Sequence, residues 1–61
     1  MNKLKKMRMD KNLTQKELAD IIGVTAKYIS FLENDQRKPS LNIAIKISDF
    51  FETTIEKIFT H

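Results

Sequence analysis

The stretch Gln15–Asn34, QKELADIIGVTAKYISFLEN, decides how this chain folds. Thr14, just ahead of it, is a good N-cap, and Glu17 three residues on completes a capping box, so a helix is expected from Gln15. Leu18, Ala19 and Ile22 lay a narrow apolar stripe along that helix. Gly23 ends it, because a sharp turn needs a residue that enters the left-handed region without strain. Val24 plugs the corner, Thr25 caps a second helix, and Ile29 and Leu32 give that helix its inward stripe. Ala19 stands where the two helices would cross, and a larger side chain there would hold them apart.

A small residue at the crossing, a sharp glycine turn and these apolar positions describe a helix-turn-helix, whose second helix enters the DNA major groove. The residues around it extend the pattern. Arg8, Thr14-Gln15, Glu17-Leu18-Ala19, Gly23-Val24, Ile29-Ser30, Glu33-Asn34 and Pro39-Ser40-Leu41 stand in one order and spacing. In these residues the chain resembles the DNA-binding domain of the lambda repressor and Cro family, the xenobiotic-response-element type. The resemblance covers roughly Leu4 to Phe59.

Outward from the motif, the first helix is expected from about Asn2 to Lys11, with Leu4 and Met7 inward, Leu13 closing the corner and Asn12 as a left-handed C-cap. After the second motif helix, Asp35-Gln36-Arg37-Lys38-Pro39 reads as a polar loop. The family usually has Gly where Asp35 stands, and Asp tolerates left-handed backbone better than most residues. Ser40 caps a fourth helix running to about Phe51, with Leu41, Ala44, Ile47, Ser48 and Phe51 as its core face. Thr53 with Glu56, or else Thr54, starts a short fifth helix through Ile58 or Phe59. A single Gly, a single Pro and no sustained β-alternation leave a compact, all-α, five-helix domain.

Sixty-one residues make one domain, 1–61. A chain of this size buries only about 60% of its unfolded surface. It has no Cys, which excludes disulfides and thiolate zinc sites and suits a reducing cytoplasm. No apolar run approaches the roughly 20 residues of a membrane span, and the polar, basic start does not read as a signal peptide. The net charge of +3 is modest, but Lys3, Lys5, Lys6, Arg8 and Lys11 crowd the front, opposed there only by Asp10. Near the back, Glu52 and Glu56 face Lys57. That polarity suits one face toward phosphate and another toward a partner, although lysine-rich helical faces are often merely solvated. Neither a nucleophile–base pair nor a phosphate-cradling Gly loop nor metal-ligand spacing occurs, so no enzyme activity, cofactor or metal is expected. His61 stands alone, and Asp20, Asp49, Glu52 and Glu56 read as solvated.

The resemblance assigns roles by position. It implies that Arg8 and Glu33 pair as a structural brace, which a bidentate Arg–carboxylate contact would fix in register. It implies that Gln15, at the start of the first motif helix, contacts a phosphate and braces the second. The base-reading set is Thr25, Ala26, Lys27, Ser30 and Phe31. Lys27 can donate to guanine O6 and N7, whereas Ala26 and the Thr25 methyl offer apolar contact to thymine. Phe31 departs from the family, which usually has a polar or basic residue there. With Ile29 and Leu32 inward, its ring should face DNA and meet thymine methyls or sugars, or else fold back on the first or fourth helix. Tyr28 reaches a phosphate or packs half-buried. Asn34, Arg37, Lys38 and the loop N–H groups would follow the sugar-phosphate backbone, unless the loop is only a solvated turn.

The back of the molecule has more apolar side chains than one small core can use. Ile43, Phe50, Ile55, Ile58 and Phe59, with Ile21 and Ile45 also hard to bury, point to an interaction surface. Phe50 and Phe59 are the first candidates for a two-fold interface. The combined reading is a sequence-specific regulator of transcription on double-stranded DNA, with repression the expected mode. It would act as a homodimer on a pseudo-palindromic operator, since one such domain reads only a few base pairs. Activation through polymerase, or an antitoxin role with the apolar back covering a toxin, are the rival protein-partner readings.

Overall fold

The capping chemistry read from the sequence sets the helix starts. The Thr14 hydroxyl accepts from the Glu17 N–H at 3.0 Å, and the Glu17 carboxylate accepts from the Thr14 N–H at 2.8 Å. Thr25 accepts from the Tyr28 N–H at 3.1 Å and Ser40 from the Ile43 N–H at 3.3 Å. Thr54, rather than Thr53, accepts from the Lys57 N–H at 3.3 Å. Each of these bonds satisfies a donor that the first turn of a helix leaves unpaired. The structure, a computed structural model, describes residues 2–59. In it five helices follow one another: α1 Leu4–Asp10, α2 Gln15–Ile22, α3 Ala26–Glu33, α4 Leu41–Phe50 and α5 Ile55–Phe59. His61 lies outside the described residues.

The turns between helices are tight because four residues accept positive φ. Gly23 at +92° ends α2, and its N–H and that of Val24 both donate to the Ala19 carbonyl. A Cβ on Gly23 would meet nothing within 4 Å, so it is the backbone angle, not lack of space, that calls for glycine. Asn12 at 58° and Asp35 at 57° turn the chain after α1 and α3. Glu52, at 55°, does the same after α4, and its residue type gave no sign of it.

Leu4, Leu18, Ala19, Ile22, Ile29, Leu32, Ile47, Phe51 and Ile58 form the core, drawn from all five helices and the residue that ends α4. Met7, Leu13 and Val24 pack against it from the edge. α2 and α3 have the most extensive contact of any helix pair. The Lys3 N–H donates to the Ile58 carbonyl at 2.9 Å, which ties the start of α1 to α5. The body is nearly isotropic, about 23 × 22 × 21 Å.

Two positions correct the sequence reading. Leu41, expected on the core face of α4, is 71% exposed. It is the first residue of that helix, and the stripe that reaches inward begins at Ala44. Ile58, expected at an intermolecular surface, is fully buried, because α5 packs on α4 and turns it into the core.

Candidate nucleic-acid interface

A buried polar network lies behind α3. The Arg8 Nε donates to Glu33 Oε2 at 2.6 Å and its Nη2 to Oε1 at 3.3 Å. The remaining guanidinium nitrogen donates to the Leu13 carbonyl at 2.6 Å. Gln15 Nε2 adds a third bond to Glu33, at 3.0 Å on Oε1. The Glu33 side chain is only 1% exposed. One carboxylate thus joins α1, the first residue of α2 and the last residue of α3. A charge so deep is tolerable only when it is paired and its lone pairs are occupied, and among the described residues no buried side-chain nitrogen or oxygen lacks a partner.

Asn2 makes a second, separate set of bonds at this end of α3, and nothing in the sequence reading singled it out. Its Nδ2 donates to the Leu32 carbonyl at 2.7 Å and to Asp35 at 2.9 Å, while its Oδ1 accepts from the Leu4 N–H at 3.0 Å. One amide therefore opens α1 and fixes the end of α3. Asn2 stands one residue outside the N-cap Lys3, which makes no side-chain cap bond of its own.

On the outward side of α3, Thr25 and Lys27 are exposed, and Ala26, Ser30 and Phe31 are half-buried. The Thr25 hydroxyl accepts from the Tyr28 N–H in the cap and keeps its own hydrogen to donate. Tyr28 and Ala26 pack against the edge of the core. Phe31 does not fold back. Its ring lies 5.7 Å from the Lys27 ammonium and 5.6 Å from the Arg37 guanidinium. Both distances are within the range of cation–π attraction.

The loop after α3 is held from inside. The Asp35 N–H donates to the Leu32 carbonyl, and the Gln36 and Arg37 N–H groups to that of Phe31, at 3.3, 2.9 and 3.4 Å. These three donors are therefore not available to phosphate, contrary to the sequence reading, because they close the end of α3 instead. The Asn34 amide likewise donates to the Ser30 carbonyl at 2.9 Å. The side chains of Gln36, Arg37 and Lys38 stand exposed. The cations at the front divide in a similar way. Arg8 is buried, Lys6 pairs with Asp10 at 3.0 Å, and Lys11 lies 5.4 Å from the Phe50 ring centre. Lys27, Arg37 and Lys38 put exposed positive charge on α3 and on the loop that follows it.

The family profile described as helix-turn-helix matches residues 4–58, which takes in α1 to α4 and most of α5. This chain belongs to that helix-turn-helix family, of the lambda repressor and Cro type. It is 45% identical over 60 residues to an uncharacterized HTH-type transcriptional regulator of Methanocaldococcus jannaschii, covering 98% of this chain and 91% of that one. An uncharacterized HTH-type transcriptional regulator of Archaeoglobus fulgidus is 44% identical over 57 residues, 93% of this chain and 80% of the other. The HTH-type transcriptional activator BcrR of Enterococcus faecalis is 36% identical over 58 residues, 95% of this chain but 28% of its own length.

In this helix-turn-helix domain the apolar back splits into two regions on opposite flanks of α4. Ile43 and Phe50 are half-buried on one flank, where Phe50 meets Phe51 edge-on with ring centres 4.9 Å apart. Leu41 and Ile45 occupy the other flank, 71% and 42% exposed. Leu41 shares a groove of about 570 Å³ with Pro39, Ala44, Ile55 and Phe59. The five residues expected at one interface therefore do not form one patch. Ile58 is in the core, Ile43 and Phe50 flank it, and only Ile55 and Phe59 line the groove. Among the described residues no helix is long and apolar enough to cross a membrane.

Proposed function

We propose that this DNA-binding helix-turn-helix protein is a transcriptional repressor, a single domain that acts as a homodimer on a pseudo-palindromic operator. The observation that carries the reading is the position of α3. Its outward side presents Lys27 and Phe31 beside Arg37 and Lys38, while its inner end is locked by Arg8, Gln15 and Glu33. A reading helix must keep one angle against the groove, and a bidentate brace from two other helices supports that. Lys27 and Phe31, with Thr25, Ala26 and Ser30, are assigned to base edges. Arg37 and Lys38 are assigned to phosphates, with Tyr28, Asn34 and the second amide hydrogen of Gln15 in supporting contacts.

A second copy of the chain fits the apolar flank of α4. Leu41, Ile55 and Phe59 line one groove with Arg37 and Lys38, so a partner placed there lies beside the reading face. A two-fold through that patch presents the same residues from both chains and sets half-sites about 34 Å apart. Repression needs only occupancy of a promoter, which these elements supply. BcrR, named an activator, carries a similar domain within a much longer chain. The site of action is the cytoplasm, on the nucleoid.

Selection of bound sequences from a random duplex pool tests the reading. The expected result is a symmetric sequence with two half-sites one helical turn apart. Enrichment of a single, unpaired site would remove the dimer, and no enrichment would remove sequence recognition. Run-off transcription from a promoter overlapping the selected site is expected to fall as protein is added, and a rise would reverse the sign of regulation.

A further inference from the structure

Phe31 is bound into the reading face more firmly than an exposed ring would be. Lys27 lies one helical turn before it, and Arg37 reaches it from the loop, with both cations within 6 Å of its centre. Its carbonyl accepts the Gln36 and Arg37 N–H groups, so the backbone of Phe31 also holds the loop that carries Arg37. The ring is half-buried. A phenyl ring has no hydrogen-bonding group. The feature of a major-groove edge that it can distinguish is the C5 methyl that thymine carries and cytosine lacks. The 5.7 Å between the Lys27 ammonium and the ring centre is more than one base-pair rise of about 3.4 Å and less than two. Two tips less than two rises apart can reach adjacent base pairs.

We infer that Phe31 is a specificity-determining residue that reads the C5 methyl of a pyrimidine in the base pair next to the guanine read by Lys27. The half-site then contains a guanine beside a thymine. Because the ring reads only the methyl, 5-methylcytosine serves in place of that thymine, and binding responds to cytosine methylation at that position. This inference rests on the proposed DNA-reading function.

The test uses the whole chain and the duplex obtained by selection. Thymines are replaced by uracil one at a time, which removes the methyl and nothing else. At one position per half-site, uracil is expected to weaken binding about fourfold, the worth of one buried methyl group. A cytosine·guanine pair there should show a loss that 5-methylation of the cytosine recovers. Phe31→Ala and Phe31→Gln, checked for helicity by circular dichroism, should bind thymine and uracil duplexes alike, and either folded variant suffices. The inference is overturned if the unaltered chain is indifferent to every methyl, or if both variants keep its methyl response. A pool without any sequence preference would overturn the function itself, whereas preference without methyl response overturns this inference alone.

Discussion

Helices α3 and α4 bury similar stripes in the same core but present opposite chemistry to solvent. α3 turns Ile29, Leu32 and Glu33 inward and carries Lys27 and the cation-flanked Phe31 outside. α4 turns Ala44, Ile47 and Ser48 inward and carries Leu41 and Ile45 outside. The first exterior suits a polyanion, because its cations lie beside an aromatic ring and a loop closed by its own hydrogen bonds. The second suits another apolar surface, because Leu41 and Ile45 are exposed and Leu41 continues into a groove lined by Ile55 and Phe59. Burial inside is no guide to function here. On the proposed function, the free face of α3 would serve reading and that of α4 assembly.

The largest expected effect tests the α3 side of that division. With roughly 6–10 phosphates met per dimer, affinity for the selected duplex should fall on the order of 10³–10⁵ between about 50 and 200 mM salt. Titration by fluorescence anisotropy measures it, and a flat response would end the contrast, since the cations would then be ordinary solvated charge. The α4 side is tested by pairing Leu41→Glu with Phe50→Glu. Leu41→Glu should leave a folded monomer, because it removes from the dimer two buried leucines worth about 1.5–3 kcal/mol each. Phe50→Glu should lower helicity instead, since that ring packs on Phe51. Sedimentation equilibrium beside circular dichroism separates the outcomes. A dimeric Leu41→Glu would move the interface off this flank.

A third measurement asks whether α3 is held by its brace or merely by the core it shares with α4. Glu33→Ala strands the Arg8 guanidinium and should cost about 3–5 kcal/mol in urea unfolding. Arg8→Ala with Glu33→Ala should cost less than the two separate losses added together. Simple additivity would mean that apolar packing alone sets the angle of α3. The smallest effect distinguishes two cations on the same face. Lys27→Ala should cost about 1–3 kcal/mol and only on sequences keeping its base, whereas Arg37→Ala should weaken all duplexes about equally and flatten the salt slope. Equal behaviour of the two would leave α3 without a base reader among its cations.

The sequence was most legible where local signals were redundant. Thr14, Glu17, Gly23 and Thr25 each mark a cap or a turn, so α2 and α3 and their inward residues could be read one by one. The Arg8–Glu33 contact spans 25 residues and was reached through the family resemblance, since no local rule joins α1 to the end of α3. Legibility fell along α4. Its sequence is apolar on several sides, and periodicity cannot say which of Leu41, Ile43, Ile45 and Phe50 finds a neighbour. That depends on where α2 and α5 stand, which is a property of the assembled fold. Asn2 and Glu52 were missed for a related reason. The role of Asn2 rests on a contact 30 residues away, and the left-handed angle of Glu52 is imposed by the turn between α4 and α5.

The bond from the Lys3 N–H to the Ile58 carbonyl has a consequence for synthesis on the ribosome. Residue 3 leaves the exit tunnel early, and residue 58 leaves after all four preceding helices. Until then Leu4 lacks the side chain of Ile58, the only α5 residue fully buried with it in the core. A nascent chain halted after α4 would thus carry the reading helix without a closed core behind it. Stable folding, and with it DNA binding, is expected to wait until α5 has emerged.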